Sequence, residues 1–110
     1  MVQAHAASGE IIDVRPLGAA LADRVTAAFF KSAQMELVHL VLRSGKALRQ
    51  HSVPGEITLQ CIEGAIEVTT PVNTCRLAPG QLIHLGAGEA HALLALADSA
   101  ALLTIFLVPQ

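Results

Sequence analysis

The feature that most narrows what this chain can become is a succession of short β-forming runs, each stopped by a turn signal. Residues 36–43 read E-L-V-H-L-V-L-R and stop at Ser44-Gly45, residues 47–53 stop at Pro54-Gly55, and residues 57–62 stop at Glu63-Gly64. Residues 65–70 precede Pro71-Val72-Asn73, residues 74–77 precede Ala78-Pro79-Gly80, and residues 81–85 precede Gly86-Ala87-Gly88. Two last runs, 91–95 and 100–108, flank the polar corner Asp98-Ser99. Branched aliphatic residues fit a pleated, half-buried surface, whereas Pro, Gly and Asn supply the dihedrals of turns. Short strands with turns roughly every 8–12 residues predict an all-β, antiparallel sandwich or barrel. The amino-terminal part is less regular. Residues 11–14 predict a short strand ended by Arg15-Pro16-Leu17-Gly18, residues 18–23 a turn or single helical turn, and residues 25–30 a further strand. Residues 1–10 predict a loose arm, which leaves 11–110 as one domain.

Charge and composition exclude several functions. Seven Lys+Arg stand against 9 Asp+Glu in 110 residues. That balance offers neither the clustered cations that nucleic-acid phosphates require nor a basic amphipathic face for a membrane surface. No apolar run approaches the ~20 residues that span a bilayer, and residues 1–10 lack the order of a signal peptide, so a cytoplasmic location is expected. Cys61 and Cys75 build no disulfide framework and read as reduced, partly buried thiols. There is no Trp and no Tyr, and only Phe29, Phe30 and Phe106 are aromatic. Stacking platforms for sugars or bases are therefore scarce, and no tyrosine hydroxyl can serve as an acid.

Two segments carry a family resemblance. Residues 45–64, G-K-A-L-R-Q-H-S-V-P-G-E-I-T-L-Q-C-I-E-G, and residues 80–95, G-Q-L-I-H-L-G-A-G-E-A-H-A-L-L-A, resemble the paired motifs of the RmlC-like cupin superfamily, specifically its small one-domain bacterial members. In the first motif of that family a glycine is followed by His-x-His, a glutamate and a closing glycine; Gly45, His51 and Gly64 match, with the P-G-E turn at Pro54-Gly55-Glu56. In the second, a glycine leads through Pro-x-Gly to a histidine and an asparagine; Gly80, Gly88 and His91 match. The resemblance implies an antiparallel double-stranded β-helix, a jelly-roll barrel, with a metal held by the motif histidines and glutamate. The departures fall on those ligands. Val53 stands for the second histidine and Ile57 for the glutamate, and Gly86 and Ala95 replace the proline and asparagine. Glu56 comes one residue early, and a one-residue offset in a strand turns a side chain to the other face.

His51 and His91 are what remains of the family's ligand set. Two neutral imidazoles can hold a divalent zinc, nickel or iron ion, but stable sites normally use about three or four protein ligands. Two readings stay open: a weakly held transition metal on His51 and His91, joined by His84 if its strand turns it inward, or a histidine pair lining a pocket for water or a small anion. Val53, Ile57, Leu59 and Cys61 are expected to line the same pocket, because Ile57, Leu59 and Cys61 alternate onto one strand face. His39 shares a face with Leu37 and Val41, which predicts that it too points into the barrel.

The functional expectation is a small-molecule-binding cupin with a half-kept metal site. The alternatives are a dioxygenase- or isomerase-like metal enzyme built on His51 and His91, or a non-catalytic dimeric regulatory module. Ile57 counts against the enzyme, since non-haem iron favours two histidines with a carboxylate. A homodimer is expected, because Val38, Leu40 and Leu42 alternate with His39 and Val41 and leave both faces of that strand needing cover.

Overall fold

The computed structural model describes residues 5–109. Among them, one 3-10 turn, Gly18–Asp23, precedes nine strands: β1 (Ala27–Lys31), β2 (Met35–Leu42), β3 (Ala47–His51), β4 (Ile57–Glu63), β5 (Ile66–Thr69), β6 (Thr74–Leu77), β7 (Leu82–Leu85), β8 (His91–Ala95) and β9 (Ser99–Phe106). From β2 onward each strand lies within a few residues of a run read from the sequence, and β6 and β8 coincide with theirs. No helix among the described residues is long and apolar enough to cross a membrane.

The strands form a five-stranded sheet in the order β1-β2-β9-β4-β7 and a four-stranded sheet in the order β3-β8-β5-β6. The pairs β2 with β9, β3 with β8, β4 with β7 and β5 with β6 are all antiparallel and nest inside one another. A chain folded back on itself once and then wound into two facing sheets gives that nesting, which is the jelly roll. Side-chain alternation then fills the space between the sheets. Leu40 and Leu42 of β2, Leu59 and Cys61 of β4, Ile66 and Val68 of β5, and Leu93 and Ala95 of β8 form one core. Gly64 turns β4 into β5 with φ +84°, and a Cβ there would run into the backbone of Asp98 and the side chain of Ser99. Only glycine meets both demands. The hydroxyl it leaves room for, Ser99 Oγ, is fully buried, accepts from the Ala65 amide at 3.1 Å and donates to carbonyl oxygen.

Two expectations for the first forty residues need correction. Residues 11–14 form no strand, and Ile11 is 96% exposed. The segment is an arm laid across the outer face of the five-stranded sheet. On either side of it, Ala6 N–H donates to Phe29 O at 2.8 Å, and Leu17 and Gly18 N–H donate to the Glu63 carboxylate at 2.7 and 3.1 Å. Residues 1–4 of the predicted arm lie outside the described residues. The Arg43 guanidinium fastens the far end through the carbonyls of Leu21, Ala22 and Arg24. The second correction concerns β2. Its inward face is the one with Leu40 and Leu42, so His39 points out of the barrel, beneath the arm.

Candidate functional site

His51 closes β3 and His91 opens β8, and the register sets them directly opposite each other. An irregularity in β3 between Leu48 and His51 brings the ring back into line with His91. The imidazole centroids are 4.3 Å apart with the rings tilted by 57°. Forty residues of sequence separation are thus closed by one rung of a ladder. His91 is 5% exposed and faces inward with Leu93 and Ala95, while His51 is open to solvent. The pair therefore marks a mouth of the barrel.

The same local device orients both rings. His51 Nδ1 lies 3.0 Å from Arg49 O, and His91 Nδ1 lies 3.1 Å from Glu89 O. A carbonyl oxygen only accepts, so each Nδ1 carries the hydrogen and donates it. In the neutral ring Nε2 then holds the free lone pair. The carbonyl facing His91 is presented by a tight turn, in which Gly86 N–H donates to the Glu89 carboxylate at 3.1 Å and Glu89 N–H to Gly86 O at 3.2 Å. Gly88 N–H donates to Val53 O at 2.9 Å and joins this turn to the loop after β3.

The other expected site residues divide. Ile57 faces inward and is 4% exposed, beside Leu85 and Ile105 in the register, and Val53 is half-buried. Glu56 faces outward, where its carboxylate meets His84 Nε2 at 2.7 Å with both side chains more than half exposed. His84 is therefore turned away from the barrel: Ile83 and Leu85 take the inward positions of β7, which leaves Leu82 and His84 outside. Leu59 and Cys61 do share the face of Ile57, and at 1% and 0% exposure they lie inside the packed core. The Cys61 thiol donates to Glu63 O at 3.5 Å, and burial pushes its pKa up. A thiol kept protonated is a poor nucleophile and a poor metal ligand.

Among the described residues, no three His, Cys, Asp or Glu side chains gather as a metal-binding group. Two bare Nε2 atoms supply only part of a coordination shell, and the positions at which the motif resemblance expects a second histidine and a glutamate carry the apolar side chains of Val53 and Ile57. The donor set does not fit a tightly held metal, and no catalytic step follows through one. What the arrangement does supply is two hydrogen-bond acceptors side by side, one buried and one exposed, at the rim of an apolar interior.

Sequence parity missed one residue of note. His39 is 4% exposed, its ring stacked on Phe29 with centroids 5.0 Å apart and 15° between planes. The available signal was bulk: Val38, Leu40 and Leu42 outweigh Leu37 and Val41 as a core face. His39 borders a partly open cleft of about 810 Å³ that the arm residues also line.

No protein-family model matches the chain, and no curated protein matches it. Solved structures do. A conserved protein of unknown function from Streptococcus pyogenes superposes with a TM-score of 0.76 at 22% identity, over 100% of this chain and 97% of that one. A cupin superfamily protein from Desulfitobacterium hafniense gives a TM-score of 0.74 at 14% identity, over 76% and 77% of the two chains. An RmlC-like cupin from Desulfovibrio desulfuricans gives 0.68 at 20% identity, over 96% and 97%. At such identities the likeness speaks for the fold alone, and it agrees with the nested strand pairing: this chain has the jelly-roll fold of small cupin domains.

Proposed function

We propose that this cupin domain binds a small molecule at the mouth of its barrel, against the Nε2 edges of His51 and His91, and that a divalent transition metal is held there only weakly. The observation that carries the reading is the matched pair of Nδ1 hydrogen bonds to Arg49 O and Glu89 O. A side chain with no task beyond packing needs no fixed tautomer. Here two backbone carbonyls fix two rings so that both acceptors stay free on the same rung. The complementary ligand presents hydrogen-bond donors, such as hydroxyl or ammonium groups, to the histidines and an apolar surface to Val53 and Ile57. The metal-enzyme reading loses ground to this one on donor chemistry, since the family carboxylate position is a buried isoleucine.

Native mass spectrometry of the protein from its own host tests the proposal. We expect an adduct of small-molecule mass that disappears in a His51→Ala/His91→Ala variant. A stoichiometric metal that survives dialysis would overturn the weak-metal reading, and an adduct indifferent to both histidines would overturn the site.

We also infer a homodimer. The arm covers part of the outer sheet face from within, yet Leu82 and Phe106, on the same face, remain 54% and 51% exposed. A second copy is the cover that these side chains lack.

A further inference from the structure

A partly open cleft lies outside the barrel, along the arm. It is bounded on one side by the arm, with Ile12, Pro16 and Leu17, and on the other by Phe29 and His39 of the five-stranded sheet. At about 810 Å³ its size is that of a small-molecule site, and its walls mix apolar surface with a few polar groups. Two of those groups are unspent. His39 is buried to 4% exposure, and its Nε2 makes no hydrogen bond among the described residues. Arg24 forms no ion pair among them, whereas the other guanidinium on the wall, Arg15, is already paired with Asp13 at 2.6 Å. A buried polar nitrogen without a partner is uncommon and destabilising. The nitrogen itself has essentially no accessible surface while the arm is seated, so an anion held at Arg24 would reach it only as the arm parts from the ring.

We propose that the cavity beneath the arm is a second ligand site, separate from the barrel mouth, for a small carboxylate with an apolar body, whose carboxylate is held by Arg24 and by the Nε2–H of His39. The apolar body rests on Phe29, Ile12 and Leu17. Burial and the nearby Arg24 charge hold the His39 pKa below the ordinary histidine value, against the opposing pull of Glu63, so the ring is neutral at pH 7 and has one hydrogen to donate. The arm is fastened by separate amide hydrogen bonds at Ala6, Leu17 and Gly18 instead of a continuous ladder, so it can part from the ring and admit a ligand without disturbing either sheet.

The test is calorimetry on the full chain with sodium hexanoate and sodium benzoate as probes, and hexanol and benzyl alcohol as uncharged controls. At least one acid is expected to bind about tenfold more tightly than its alcohol, with the His39 ring resonances shifting in step. Arg24→Ala is expected to weaken that binding about tenfold, and His51→Ala to leave it unchanged. His39→Phe keeps the stack on Phe29 and removes the unpartnered nitrogen, so it is expected to abolish the preference for acid over alcohol while raising the melting temperature. Binding that ignores Arg24 and His39 would overturn the proposal, as would no binding of either acid at millimolar concentration. A His39→Phe variant that melts lower than the parent would also overturn it, by showing that the ring is satisfied by an internal water and serves packing only.

Discussion

At the scale of single residues the site turns on one-position offsets. Ile57 faces the barrel and Glu56 faces solvent, as strand parity requires, and the outward carboxylate is taken by His84 at 2.7 Å. Position 57, where the motif resemblance expects a carboxylate, thus turns an apolar side chain inward, and Glu56 and His84 pair with each other on the outer face. That parity was legible for Glu56 and Ile57, because the motif glycines fix the count along β4. It was not legible for His84, since Leu82, Ile83 and Leu85 are all apolar and either face of β7 could have been the inner one. Restoring the ligands should restore affinity. The double variant Val53→His/Ile57→Glu adds an imidazole and a carboxylate beside His51 and His91. Its zinc affinity, measured by calorimetry, should exceed the parent's by about tenfold or more, or roughly 1.4 kcal/mol. Melting curves with and without zinc check that the buried carboxylate is tolerated once the ion neutralises it.

At the scale of elements, the arm and β2 explain where the reading failed. A short apolar run such as residues 11–14 has the composition of a strand, but a strand also needs a neighbour with free hydrogen-bonding groups. The arm instead crosses the outer face of the five-stranded sheet, and its amides at Leu17 and Gly18 find the Glu63 carboxylate. The consequence for β2 is that its outward histidine lies under cover supplied by the chain itself, which parity along β2 could not reveal. His39 carries this burial into the pH dependence of stability. Its folded pKa lies below the ordinary value of 6.5, so the unfolded chain binds the proton more readily. Stability is then lost as pH falls from about 6.5 toward the folded value. Urea unfolding at stepped pH should show this slope in the parent and a shallower one in His39→Phe. Equal slopes would mean that His39 is not the group responsible.

At the scale of the whole molecule, the number and limits of most strands could be read from turn chemistry, while their nesting could not. The pairing of β2 with β9 joins residues far apart in sequence, as in Val38 with Leu103, and no local propensity encodes it. The motif resemblance supplied that topology, and the structure bears it out. The outer face is where the molecule still has apolar surface to hide, and light scattering at micromolar concentration should report twice the 11.5 kDa chain mass. A monomer mass would contradict the dimer. The central claim, that two backbone carbonyls hold His51 and His91 with both Nε2 atoms bare at the barrel mouth, is tested most directly by long-range proton–nitrogen correlation spectra of the histidine rings. The account predicts the Nδ1–H tautomer for both residues near neutral pH, and Nε2 signals of this pair that move together as zinc is added while those of His39 and His84 stay still. An Nε2–H tautomer at either ring, or His84 responding in place of His51 and His91, would contradict it.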